Sequence, residues 1–277
     1  MFRIAWRRKL LAAACVGLAT TVCSFETIAA QDHPAASGST QPQMMAKDAD
    51  PDWEVVTVRP SDPNATNNTF DVRGRHVIIG HRTVELMLRM AYSLQESQIV
   101  GAPDWTKTKY FDADGVPNVE GQPNLKQFQT MVRKLLSERF GLIAHVEQRE
   151  LPVYALSMTR SGPKMANSTG DPDGLPNDTD HRSAGQQSVK MSNATMGDLA
   201  LELMFYTDRP VVDQTGLNGR HDFTLKWTFD ESKAPTDGTA APSLFTAIQE
   251  QLGLKLEPVK APVPVLVIDK VEPPSAN

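Results

Sequence analysis

Two stretches decide the fold: Phe140-Gly141-Leu142 followed by Pro152-Val153-Tyr154-Ala155-Leu156, and Leu252-Gly253-Leu254 followed by Pro264-Val265-Leu266-Val267-Ile268. In each, the proline follows the glycine by eleven positions. Glycine at that place fits the end of a helix, where left-handed backbone carries no Cβ penalty. Each proline opens a run of strand-forming residues, so 142–159 and 254–271 both read as hairpins that follow a helix. Upstream of the first glycine, 125–140 carries Phe128, Met131, Val132, Leu135 and Leu136 at helical spacing; upstream of the second, 243–252 carries Leu244, Phe245, Ile248 and Leu252.

The matching order extends further back. Thr83 and Thr195 are N-cap residues for helices over 83–92 and 195–204, with Leu86 and Met90 on the apolar face of the first. Each helix leads through a short apolar segment and a glycine turn, Gln98-Ile99-Val100-Gly101 and Val211-Val212-Asp213-Gln214-Thr215-Gly216, to an aromatic strand at 110–113 or 221–227. With leading strands at 54–58 and 188–191, the expected fold class is α+β: two related small units, each with helices packed on a short mixed or antiparallel sheet. The units span 53–165 and 188–277, and the polar segment 166–187 is the loop between them.

Residues 1–30 read as a signal peptide. Arg3, Arg7, Arg8 and Lys9 form a basic n-region, 10–25 is apolar or small, and Thr27-Ile28-Ala29-Ala30 offers a cleavage site. The apolar run falls short of the about 20 residues that a spanning helix needs. Cleavage there removes those four basic residues and Glu26, taking the formal charge from −5 to −8. An acidic mature chain has no basic cluster to neutralise phosphates, which excludes nucleic acid as a partner class. Both cysteines, Cys15 and Cys23, lie inside the signal, so disulfide and thiol chemistry leave with it. A lipoprotein form is the lesser expectation, because Val22 is a poor residue before a lipidated Cys23. Residues 31–52 lack apolar periodicity and read as a flexible linker. With 40% apolar and 22% charged residues, the remainder can bury a core. The expected location is periplasmic or extracellular.

Trp53-Glu54-Val55-Val56-Thr57-Val58-Arg59-Pro60-Ser61, Gln98-Ile99-Val100-Gly101-Ala102-Pro103-Asp104-Trp105, Arg149-Glu150-Leu151-Pro152-Val153-Tyr154-Ala155-Leu156, Val212-Asp213-Gln214-Thr215-Gly216-Leu217 and Val265-Leu266-Val267-Ile268-Asp269 together resemble the bacterial soil-associated protein family, a domain of unknown function. The resemblance covers nearly the whole mature chain. It implies secreted or envelope-located bacterial proteins, some of them fused as the outer domain of metallopeptidase sensor-transducers. This chain shows a signal peptide and no membrane-embedded peptidase segment. Phe111-Asp112-Ala113-Asp114-Gly115 departs from the family's plainer strand. The family brings no established catalytic residues to carry over.

Few residues offer chemistry. Ser161-Gly162-Pro163-Lys164 matches Ser-x-x-Lys, but Gly-Pro between the two favours a turn over the helix start that acylation needs. His33, His76, His81, His145, His181 and His221 contain no His-x-x-x-His or His-Glu-x-x-His pair. Asp178, Asp180 and His181 could chelate a cation in a loop, but Asp-rich loops are usually just solvated. No phosphate loop, dinucleotide fingerprint or nucleophile elbow appears, so no cofactor is expected and no catalytic or metal residue is assigned. Of the tryptophans, Trp53 and Trp227 sit beside core-like strands, and Trp105 is the candidate binding residue. The expected function is therefore a non-enzymatic binding module for an envelope protein or small envelope ligand. The alternative is a secreted hydrolase with an unrecognised serine or acidic active site.

Overall fold

A computed structural model describes residues 43–62, 64–65, 69–73, 75–172, 176–183, 185–230 and 241–274. The expected signal peptide and most of the linker lie outside the described residues. β1 (Trp53–Pro60), β2 (Thr69–Arg73), β3 (His76–Thr83) and β5 (Tyr110–Pro117) form an antiparallel sheet in the order β1-β5-β3-β2. Three helices fall among or after these strands: α1 (Val84–Tyr92), α2 (Trp105–Thr108) and α3 (Leu125–Phe140). β7 (Ala166–Asn167), β8 (Asn177–Ser183), β9 (Gln186–Ala194) and β11 (His221–Thr228) form a second outer sheet, ordered β7-β11-β9-β8. With it go α4 (Met196–Leu203) and α5 (Leu244–Ala247), which runs on as a π-turn over Ile248–Leu252. Segment 166–187, expected as a loop, thus supplies β7 and β8.

Between the outer sheets lies a third. β6 (Ile143–Met158) and β12 (Leu254–Lys270) run antiparallel at its centre, with β10 (Val211–Asp213) parallel to β6 and β4 (Ile99–Val100) parallel to β12. This architecture overturns the α+β expectation. The chain is mostly β, 45% strand against 23% helix, in three sheets, and the central one takes strands from both halves of the sequence. Helices packed on two separate short sheets do not describe it.

The physical reason is the two prolines. A proline disrupts a ladder only where its missing N–H would have faced a partner strand. The Tyr154 N–H and the Leu156 carbonyl both turn toward the β10 side, so even-numbered positions of β6 point away from β12. The β6–β12 register pairs even with even residues, and the Pro264 carbonyl accordingly turns outward to accept from Gln98 Nε2. Pro152, Pro258, Pro262 and Pro264 all occupy even positions. None removes a β6–β12 bond, so 142–159 and 254–271 contain single long strands paired with each other instead of two hairpins.

The helices are where capping chemistry puts them. Thr83 Oγ1 accepts from the Leu86 N–H to start α1, and Asn124 and Gln127 cap α3 reciprocally. α1 and α3 bury Met87, Leu88, Leu135, Leu136 and Phe140 against Val77 and Ile79 of the first outer sheet, with Leu266 and Ile268 of β12 closing that core. The second core joins Leu199, Leu203, Leu225 and Trp227 to Leu156, Leu254 and Leu256 of the central strands. β6 and β12 therefore serve both cores.

One of the buried polar residues is a histidine on β11. His221 is 5% exposed and, among the described residues, both ring nitrogens lack a hydrogen-bond partner. It pairs with Ala194 in β9, beside a register shift; at the like place in the first outer sheet Phe111 pairs with Arg82. His221→Phe is expected to stabilise the fold by roughly 1–2 kcal/mol, because a buried unpaired polar group costs about that much. Urea denaturation checks it, and a destabilised variant would show that the imidazole is satisfied in solution.

Candidate functional site

Ser161 and Lys164 lie on the turn after β6, and the turn separates them chemically. Ser161 Oγ is 2.8 Å from Thr159 Oγ1, while Lys164 Nζ donates to the Glu250 carbonyl at 2.9 Å, on the π-turn before β12. The amine that would activate a serine is thus bound to backbone. Beside the turn is an open depression of about 450 Å³ lined by Met158, Thr159, Arg160, Ser161, Gln249 and Lys255. Lys255 is paired with Glu257 at 2.8 Å. The depression holds no aligned base.

A serine–histidine contact that sequence spacing did not reveal sits at the end of β1. Ser61 Oγ lies 3.0 Å from His81 Nδ1, and His81 stacks on Tyr110 with ring centroids 4.1 Å apart. A triad needs a carboxylate on the other imidazole nitrogen. Here Asp112 Oδ1 accepts the backbone N–H of His81 at 2.9 Å, and its other oxygen is 3.5 Å from Arg59 Nε. The same bond recurs in the second outer sheet, where Asp222 Oδ1 accepts the Asn193 N–H at 2.8 Å. His81 and Asn193 both have positive φ, 48° and 56°, and both lie at bulges where the strand register shifts. An aspartate that holds an αL residue in a bulge explains both places, one of which has no histidine.

The other candidates scatter. Trp105 opens α2 and packs edge-to-face against Phe111 at 6.4 Å, as part of the first core. His76 pairs with Asp114 at 2.8 Å. Among the described residues no three His, Cys, Asp or Glu side chains come together as a metal site. Asp178 and Asp180 on β8 lie near Glu202 of α4, whose carboxyl burial pushes up to about 7, helped by Asp178. Tyr206 donates to Glu202 Oε1 at 3.1 Å.

The feature that sequence reading missed is an edge. Over 143–152 the outer side of β6 is unpaired among the described residues, since β10 covers only Tyr154–Leu156. Ala144, Val146, Gln148 and Glu150 each turn an N–H and a C=O outward there. The corresponding edge of β12 is blunted by Pro258, Pro262 and Pro264, a common protection against strand addition. On the open edge Ile143 and Val146 are each 58% exposed. Charged side chains flank them: His145 Nδ1 is 2.8 Å from Asp269 and Nε2 3.3 Å from Glu147, which also holds Arg149 at 2.7 Å. Asp269, then Glu147, raise the His145 pKa above the ordinary histidine value. Proline parity marks the closed edge of β12 in the sequence, and no local signal marks the open edge of β6.

Among the described residues no helix is long and apolar enough to cross a membrane. No curated protein and no solved structure matches the chain. A family model does match, from residue 85 in α1 to residue 271 just after β12, and takes in the central sheet whole. The chain belongs to that family, described as proteins of unknown function (DUF3738).

Proposed function

We propose that this protein is an exported, non-enzymatic binding module that takes an extended polypeptide as an added strand on the outer edge of β6. The observation that carries the reading is the run of four outward N–H and C=O pairs at Ala144, Val146, Gln148 and Glu150, next to edges that prolines close. Backbone bonds supply affinity in strand addition, and alternate side chains supply selectivity. The hydrolase reading has less behind it, because Lys164 and Asp112 are each committed to backbone groups. A soil-bacterial source, a kinship with sensor-transducer outer domains, and a periplasmic or extracellular location after cleavage near Ala30 belong to the same proposal.

Selection of displayed random peptides against the mature chain tests it. Val146→Pro removes one outward N–H at a position whose N–H does not face β12, the substitution that the chain itself carries at Pro152. Peptides with alternating β-branched residues are expected to bind wild type, Ser161→Ala and Lys164→Ala equally and to lose at least tenfold on Val146→Pro. Peptides indifferent to Val146→Pro would remove the edge as the working surface.

A further inference from the structure

We propose that the strand received by the β6 edge is the β6 edge of a second copy of this chain, forming a symmetric dimer; the inference rests on the strand-addition reading above. In an antiparallel pair, residues whose backbone groups face the partner sit opposite one another. A two-fold pairing of β6 with itself sets even-numbered residues opposite even-numbered ones and can centre on an outward or an inward residue. Centring on the inward Glu147 sets two carboxylates against each other across the dyad, and centring on His145 leaves Gln148 opposite Leu142, outside the strand. Centring on Gln148 sets Val146 against Glu150 and Ala144 against Pro152, which has no N–H to give. Centring on Val146 avoids both. Val146 then meets Val146 of the second copy, and Ala144 meets Gln148 of the second copy, with every outward group from Ala144 to Gln148 paired.

The side chains fit this register. His145 falls opposite Glu147 of the second copy, twice by symmetry, and Ile143 lies against the aliphatic stem of Arg149 of the second copy. Cross-strand opposite charges and apolar pairs stabilise a sheet, and like charges in the same places oppose it. Within each copy, His145, Glu147, Arg149 and Asp269 already form a chain of contacts between 2.7 and 3.3 Å, which the pairing extends across the dyad. The two exposed apolar residues of the edge, Ile143 and Val146, are covered together. Prolines 258, 262 and 264 keep the β12 edge from accepting a further copy in the same way, so this pairing closes as a dimer.

Sedimentation of the mature chain from micromolar to millimolar concentration reads the result. Wild type is expected to dimerise, and Val146→Pro to weaken the dimer by about tenfold to a hundredfold. His145→Glu faces Glu147 of the second copy with a like charge, and Glu147→Lys faces His145 with one; each alone is expected to weaken self-association several-fold to about tenfold. An equimolar mixture of the two variants restores one opposite pair and leaves His145 facing Glu147 in the other, while the His145–Glu147 contact within each chain stays broken. Recovery to within about threefold of wild type is therefore specific to contacts between copies and independent of how Val146→Pro folds. Wild type that stays monomeric, a dimer unmoved by Val146→Pro, or a mixture no stronger than its parts overturns the second-copy assignment. A monomer that still selects Val146-dependent peptides overturns this inference alone, whereas loss of that selection overturns the broader reading.

Discussion

Gly253→Ala is expected to destabilise the protein by on the order of 3–5 kcal/mol, whereas Gly141→Ala should cost about 1–2 kcal/mol. Both glycines end a helical segment with positive φ, 68° and 56°. A Cβ on Gly141 would have Glu272 Oε2 as its nearest neighbour, at 3.7 Å, leaving only the left-handed backbone penalty. A Cβ on Gly253 would stand 2.0 Å from the Gly162 carbonyl oxygen and 3.1 Å from its carbon. That carbonyl cannot step aside alone. The 159–164 turn is tied down by Thr159 N–H and Oγ1 donating to the Gly253 carbonyl, Lys164 N–H to the Leu252 carbonyl and Lys164 Nζ to the Glu250 carbonyl. Making room means displacing several bonds worth about 1 kcal/mol each. Chemical denaturation of both variants checks the contrast, and equal costs would show that the turn yields freely. Lys164 is thereby given a structural role: it anchors the turn against which β12 begins.

That contrast also marks how far the sequence could be read. Gly141 and Gly253, the caps Thr83 and Thr195 and the helical faces of 125–140 were legible because each signal is local, within one or two turns of chain. The partner of Gly253 lies 91 residues earlier, at Gly162, and no local pattern records it. The long strands failed for a related reason. Pro152 and Pro264 carry the usual sign of a strand boundary, and only the side on which each neighbour lies decides whether the missing N–H matters. Even spacing among Pro258, Pro262 and Pro264 was present in the sequence, but it becomes an edge only once β6 and β12 are known to pair. The outward run from Ala144 to Glu150 was hidden similarly, since an unpaired edge is defined by what does not lie beside it. His81 and Asn193 were unreadable as bulge residues, because positive φ there is imposed by Asp112 and Asp222 across the sheet.

Stability should fall as pH rises from about 4.5 to about 7, and Glu202→Gln should abolish most of that fall. Glu202 lies on α4 where burial, reinforced by the Asp178 and Asp180 carboxylates, raises its pKa from 4.5 to about 7, only partly offset by the Tyr206 hydroxyl. The folded state holds a proton that the unfolded chain releases near its ordinary carboxylate value. Below about pH 4.5 both states are protonated and the group costs nothing; between there and about pH 7 the unfolded state gains by ionising while the folded state does not. Above pH 7 the loss is complete. A shift of this size corresponds to roughly 3 kcal/mol, reduced toward 2 because the residue keeps some contact with water. Glutamine retains an oxygen for the Tyr206 hydroxyl and carries no charge beside Asp178. Urea denaturation at pH 5 and pH 8 should therefore show wild type losing about 1.5–2.5 kcal/mol more than Glu202→Gln, with the variant the more stable of the two at pH 8. Asp178→Asn should flatten the wild-type slope in part, since it removes the larger of the two carboxylate contributions but leaves burial in place. If Glu202→Gln keeps the wild-type slope, the Glu202 carboxyl is solvated in the folded protein.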